Sequence, residues 1–270
     1  MGGITTPQPV ARAPITADLQ NITALNRLGA VRMITPTETA VFAASQRANR
    51  TPAGAFDARP VERRDLHSLV QLHVQQFPEC FYTRLGAAFM TRYLRQFFRS
   101  PGALGLVAEQ RDGAGLVGYL IGTLDEDAHD RFTYRRAALS LTAVGGWALA
   151  ARPALWSDFV RRRTLWYARR YVSGAIRSRQ SSAMARHGEL LYVCTAPGNR
   201  CQGVGAALLR ACVEEAQRAH AANLHLVSER DNTAAHEFYA HRRWQLLSES
   251  ATRDGRPLVR MGLSLSGETE

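Results

Sequence analysis

The sequence predicts a mixed α/β sheet with helices on both faces and a helical, arginine-rich insertion between its third and fourth strands. Three observations carry this. Short apolar runs of strand character alternate with amphipathic stretches of helical period from residue 56 onward. An apolar strand over 190–195 feeds a glycine-bearing loop that opens directly into a helix. The formal net charge of +11 is concentrated in one segment, 131–186, which holds twelve arginines and a single acid, Asp158.

The elements follow in order. Residues 1–55 are rich in Thr, Ala and Pro with weak helical periodicity, and read as a loosely attached extension. The folded unit is expected over 56–268. Pro60-Val61-Glu62 reads as a short strand, and Asp65 as the N-cap of a helix through Leu69, Leu72 and Val74. A second helix is expected over about 83–98, where Leu85, Phe89, Tyr93, Leu94 and Phe97 recur at helical spacing. Leu104–Glu109 and Leu116–Leu124 form a hairpin signal around Arg111-Asp112-Gly113. The insertion, about 126–186, comes next. Then follow a strand at 190–195, a helix at 204–220, a strand at 224–228, a helix at 232–242, and two strands flanking Asp254-Gly255.

Composition narrows the chemistry. All 34 basic residues are arginine, so no lysine is available for a Schiff base. The four cysteines, Cys80, Cys194, Cys201 and Cys212, form no C-x-x-C pair and share no zinc spacing with histidines. They read as reduced thiols of a cytoplasmic protein, and no metal site is expected. No signal-peptide pattern opens the chain, and Ala137–Ala151 is too short to span a bilayer.

The most informative stretch runs from Val193 through Thr195, Arg200, Cys201, Gln202, Gly203, Val204, Gly205 and Ala206. A helix N-terminus offers unpaired N–H groups and a positive dipole end to phosphate oxygens. Gly203 and Gly205 allow close backbone approach, and Arg200 adds a cation. A dinucleotide site would need a third glycine and a ribose-binding acid. A Walker loop would need lysine.

Arg200…Gly203…Gly205 resembles the R-x-x-G-x-G/A coenzyme A signature of the GNAT superfamily, the GCN5-related N-acetyltransferases. Asn232, Ala235, Phe238, Tyr239 and Trp244 resemble that family's second signature, N-x-x-A-x-x-F-Y-x-x-x-G-F. One helix and one strand separate the two, as in the family.

The resemblance implies an acetyl-CoA-dependent N-acyltransferase domain, with acetyl-CoA as co-substrate and a primary amine of a small molecule as acceptor. Val193 and Thr195 would supply main-chain contacts to the pantetheine arm and an oxyanion-binding N–H. Arg200 to Ala206 would wrap the pyrophosphate, and Asn232 would touch the pantetheine or phosphate region. Tyr239 matches the tyrosine that protonates the leaving thiolate, for which a phenol of pKa about 10 is suited. Glu189, eleven positions before Arg200, matches the general base of histone-type members. His187 lies on the same strand face, and Asp125 is a further candidate; a solvated strand-end carboxylate is the bland alternative for Glu189.

Two positions depart from the pattern. Arg243 replaces the glycine, implying a different helix exit, and Trp244 replaces phenylalanine. The resemblance does not reach the insertion, where arginines interleave with Trp147, Trp156, Phe159, Trp166 and Tyr167. Such a surface suits a phosphate-bearing acceptor or peripheral contact with an anionic membrane; nucleic acid is not the expected partner. A helical lid with a solvated arginine face is the plain alternative. A non-catalytic coenzyme-sensing or macromolecule-binding module on the same fold is the rival to an enzyme.

Overall fold

The computed structural model describes residues 56–111, 113, 115–133, 146, 186–252 and 255–265. The expected extension over 1–55, nearly all of the insertion and the apolar stretch Ala137–Ala151 lie outside the described residues. Strands β1 (Phe56–Pro60), β2 (Ala103–Gln110), β3 (Leu116–Thr123), β4 (Arg186–Thr195), β5 (Ala221–Glu229), β6 (Gln245–Ala251) and β7 (Pro257–Ser264) form one sheet in the order β1-β2-β3-β4-β5-β7-β6. Every pairing is antiparallel except β4 with β5. A mixed sheet of this kind follows from the chain order, because a helix between β4 and β5 makes a parallel crossover.

One face carries α1 (Leu66–Gln76), α2 (Phe81–Arg84) and α3 (Ala87–Phe97). In α3 the buried residues Phe89, Met90, Tyr93, Leu94 and Phe97 fall on a single stripe, the pattern of a helix laid on a core. The other face carries α5 (Val204–Arg218), whose Val204, Leu208, Leu209, Cys212 and Ala216 are buried, and α6 (Thr233–Ala240). Each fully buried leucine of these stripes contributes about 1.5–3 kcal/mol. A short helix, α4 (Glu126–Phe132), leaves the end of β3 where the insertion begins. No helix among the described residues is long and apolar enough to cross a membrane.

Three local expectations are corrected. The first strand ends at Pro60 instead of beginning there, because Phe56–Pro60 pairs with β2 along Leu106–Gln110. Asp65 is the N-cap residue of α1 as expected, but its side chain makes no cap hydrogen bond. Its carboxylate is taken by the Arg59 guanidinium at 2.7 and 2.9 Å and by the Glu62 N–H at 2.8 Å. The helix expected over 83–98 is two helices, because Gly86 takes φ 101° and turns the chain between them.

Candidate functional site

The site begins with an irregularity in β4. Ile121 of β3 pairs with Tyr192, whereas Gly122 pairs with Leu190, so Leu191 is an extra residue in the ladder. This is a β-bulge, which bends a strand and increases its twist. Its mark is visible in the packing, since the consecutive residues Leu191 and Tyr192 both enter the α1–α3 core. On the other side of β4, pairing with β5 runs from Arg186 to Leu190, opposite Leu226, and stops. Strand β5 continues, paired to β7 as far as Glu229. The two parallel strands therefore part at the bulge.

Which main-chain groups face the opening follows from register. The Ala196 N–H donates to the Val117 carbonyl at 2.8 Å. Alternation then turns the polar groups of Cys194 and Tyr192 toward β3, and those of Thr195 and Val193 toward the side that β5 has left. These are the two residues singled out in the sequence for backbone contacts.

The loop beyond β4 closes the wider end of the opening. Cys201 (φ 63°) and Gly203 (φ 85°) both take left-handed conformations, and Gly203 is the N-cap of α5. The first helical bond runs from the Ala207 N–H to the Gly203 carbonyl at 2.9 Å. The N–H groups of Val204, Gly205 and Ala206 precede it at the positive end of the helix dipole. Gln202 donates to the Gly198 carbonyl at 3.1 Å, and Arg200 donates to the Gln76 side chain at 2.9 Å, tying the loop to α1. A Cβ on Gly205 would meet Phe238 at 3.6 Å and Thr195 Oγ1 at 3.8 Å, ordinary contacts. Nothing in the described protein requires glycine at 205.

Helix α6 borders the same opening. Asn232 is its N-cap, its side-chain oxygen accepting from the Ala235 N–H at 3.4 Å. Tyr239 is buried against Phe238 and Trp244. Its hydroxyl is fully enclosed with no hydrogen-bond partner among the described residues. Burial pushes its ionisation well above the usual phenol range, Cys212 adding to the shift and Arg242 opposing it. The ordinary phenol assumed from sequence is thus a firmly protonated one.

The exit of α6 corrects the expectation drawn from Arg243. This residue takes φ 65°, the left-handed conformation its glycine counterpart would take. Trp244 N–H bonds to the Tyr239 carbonyl at 3.2 Å and Arg243 N–H to the Ala240 carbonyl at 3.0 Å. That bond pair is a Schellman motif. The buried Trp244 beyond it, 3% exposed, anchors the turn and holds arginine in a conformation costing about 1–2 kcal/mol.

The candidate bases separate clearly. Glu189 is 3% exposed within β4, so the solvated strand-end alternative is wrong; the strand starts at Arg186, four residues before its apolar run at Leu190. Asp125 is the N-cap of α4, its carboxylate accepting from the Ala128 N–H at 2.8 Å, which occupies it structurally. His187 is held by the Asn223 side chain, Nδ1 to Oδ1 3.0 Å. Two residues not legible as partners join Glu189. Its ladder partner on β5 is His225, and Glu126 opens α4 beside them. One ligand atom from each of the three lies within 4.8 Å of the others. They come from three elements far apart in sequence, and no spacing rule could have gathered them.

Thiol chemistry does not fit this site. Burial pushes the Cys194 thiol up to about 12, with the Arg200 charge opposing it, and Cys212 likewise up to about 12. Neither is a thiolate at neutral pH, the form a nucleophile needs.

The family described as acetyltransferase (GNAT) matches residues 147–243. A chimera of the Vibrio cholerae spermidine N-acetyltransferase SpeG with hSSAT has a similar fold, at 10% identity and TM-score 0.50, covering 79% of this chain and 97% of that one. The ribosomal-protein-S18-alanine N-acetyltransferase of Escherichia coli is 15% identical with TM-score 0.45, covering 80% and 98%. The structure of yncA from Salmonella typhimurium, with its cofactor acetyl-CoA, is 15% identical with TM-score 0.46, covering 80% and 98%. No curated protein matches the chain.

Proposed function

From a chain that carries a GNAT-family acetyltransferase domain, we propose that it moves an acetyl group from acetyl-CoA to the primary amine of a small-molecule acceptor. The observation that carries this is the parting of β4 from β5 at Leu190, which leaves the Val193 and Thr195 main chain facing a gap that ends at the Gly203–Ala206 helix N-terminus. A thioester arm fits the gap and its pyrophosphate fits the loop. Gly205 suits a ligand backbone contact, since the protein's own packing leaves room for a side chain there. The unpartnered hydroxyl of Tyr239 is the sort of buried polar atom that a ligand completes.

The roles divide by position. Acetyl-CoA supplies the acetyl group as co-substrate. The N–H of Val193 or Thr195 polarises its carbonyl. Glu189 takes one proton from the acceptor ammonium, and the freed lone pair forms the C–N bond as the C–S bond breaks. Tyr239 gives its proton to the sulfur and regains one from the nitrogen. Tyr239 belongs to the α5–α6 layer, and this reading requires both it and Glu189 to reach the gap between the strands. Asn232 orders the start of α6 and faces the pantetheine region.

We assign the insertion to the acceptor because in the family it resembles the chain varies between the third and fourth strands, where the acceptor enters. By composition its arginines suit a phosphate-bearing amine in the cytoplasm, and contact with an anionic membrane is the other use. The test is release of free thiol from acetyl-CoA across amino sugars, polyamines, amino acids and peptides. Amine-dependent release is expected. Binding of acetyl-CoA with no turnover on any amine would favour the coenzyme-sensing module. Co-sedimentation with anionic vesicles, lost at high salt, would mark membrane contact.

A further inference from the structure

The core under α1–α3 draws on β2, β3 and β4, and among the described residues it takes none from β5, β7 or β6. What that face of the sheet carries beyond β4 follows from register. Leu190, Leu224, Leu226 and Met261 belong to the α5–α6 core. Alternation therefore turns Glu189, His225, Val227 and Arg260 to the opposite face. Glu189 pairs with His225, and Val227 is the first residue of β5 beyond the last rung with β4. The partner of Val227 on β7 is Arg260. Arg260 is thus level with the start of the gap, on the face that carries Glu189.

Arg260 is half-buried, and its Nε is fully enclosed with no hydrogen-bond partner among the described residues. The acids within two residues of its ladder partners are engaged by other arginines: Glu229 by Arg256 at 2.8 Å and Glu249 by Arg230 at 3.1 Å. A guanidinium keeps its charge inside a protein and presents a planar fork of donors. Withdrawing such donors from water without an acceptor is costly. A carboxylate or phosphate supplies two oxygens in the matching geometry. Hydrocarbon flanks the position. Val227 lies beside it on β5, and Leu247, the extra residue of β6 between Leu246 and Ser248, lies over Gly262, where a Cβ would fall 2.5 Å from Leu247 Cδ1. Two strand spacings of about 4.8 Å and two residue rises of about 3.4 Å put the Cα atoms of Glu189 and Arg260 about 12 Å apart, with both side chains on one face.

Resting on the reading of Glu189 as the base, we propose that Arg260 is a specificity-determining residue, holding the carboxylate or phosphate of an acceptor whose primary amine sits at Glu189. A short carbon chain crosses the apolar surface between the two. Arg260 makes no bond to the reacting atoms, and the acetyl transfer proceeds as described above. Its contribution is to fix one end of the acceptor so that the other end meets the thioester. An uncharged tail gains nothing from it, and a cationic tail is repelled.

The test uses acceptors of similar length that differ only at the far end: aminobutyrate, aminopropyl phosphate, butylamine and diaminobutane. The full chain is expected to prefer an anionic tail in kcat/KM by about tenfold or more over butylamine; whichever of carboxylate and phosphate is preferred identifies the source of the anion. Arg260→Gln is expected to lose that preference through KM, with kcat and the butylamine rate retained. Arg260→Lys should recover part of it, and Arg260→Glu should shift the preference toward diaminobutane. A variant that merely packs badly would lose rate on all four acceptors alike, and that outcome in Arg260→Lys as well as Arg260→Gln would overturn the inference. So would a wild-type chain indifferent to the tail. The reaction is separated from the site by titrating aminobutyrate and aminopropyl phosphate into the full chain saturated with CoA, where no transfer occurs. Binding that is lost in Arg260→Gln, without turnover of any amine, would keep the anion site and overturn the acetyl-transfer reading. Turnover of amines with no dependence on Arg260 would do the reverse.

Discussion

Leu190 and Leu226 form the last rung between β4 and β5, the only parallel strand pair among the described residues, and beyond them the two strands diverge. The divergence coincides with the extra residue Leu191 on the opposite edge of β4. A bulge on one side and a lost pairing on the other have one cause: a strand bent at the bulge cannot stay parallel to a straight neighbour. The proposed coenzyme site occupies the space this creates.

The loop at the mouth of the gap yields a prediction in which stability and binding separate. Gly205→Ala places a methyl group at ordinary contact distance from Phe238 and Thr195, and alanine is favoured over glycine in a helix by about 1 kcal/mol. The variant is expected to melt at the same temperature or higher, while its acetyl-CoA affinity drops about tenfold or more. Thermal melts and calorimetric titration on the same preparation read both.

Tyr239→Phe removes a hydroxyl that has no hydrogen-bond partner among the described residues. Stability should be unchanged or slightly raised, because the enclosed group is lost with its desolvation cost. Turnover should fall about 100-fold, with acetyl-CoA affinity retained. A variant that turns over at the wild-type rate would remove Tyr239 from the chemistry.

Arg243 occupies a left-handed position that glycine takes without penalty. Arg243→Gly is expected to stabilise the protein by about 0.5–1 kcal/mol, read as a raised midpoint in urea denaturation. The gain is smaller than the strain relieved because glycine also loses more freedom on folding.

His73 gives a pH dependence. It is 0% exposed, its Nδ1 sits 2.7 Å from the Tyr119 hydroxyl, and its Nε2 has no partner among the described residues. Burial lowers it from the ordinary 6.5 to about 3. Between those values the unfolded chain takes up a proton that the fold refuses, so stability is lost as pH falls from about 6.5 toward about 3. The slope is at most about 1.4 kcal/mol per pH unit, with no contribution above 6.5. Urea midpoints at pH 7.5, 5.5 and 4.5 should show it, and His73→Phe should flatten it.

Much of the fold was legible because its signals are local. The stripe through Phe89, Tyr93, Leu94 and Phe97, and the two apolar runs of β2 and β3 joined by a turn, depend only on neighbouring residues. The loop was legible because Gly203 carries its conformational meaning in its identity and Gly205 leaves room for close approach to the helix N-terminus. What escaped depends on tertiary placement. Nothing in Leu190-Leu191-Tyr192 marks the middle residue as a bulge. Arg243 was expected to change the helix exit, but Trp244 buried behind it kept the turn. Asp125 and Glu126 are adjacent acids indistinguishable in sequence; the first caps α4 and the second reaches His225. Glu189 was found through its spacing to Arg200, while its two partners had no spacing to offer.

The central claim is that the gap between β4 and β5 and the loop at its mouth bind acetyl-CoA. Calorimetric titration of acetyl-CoA into the full chain tests it most directly. One site per chain is expected, with a dissociation constant within the range of about 1 μM to 1 mM common for enzyme substrates, weakened about tenfold or more by Gly205→Ala. No binding at millimolar acetyl-CoA, or equal binding by Gly205→Ala, would contradict the assignment.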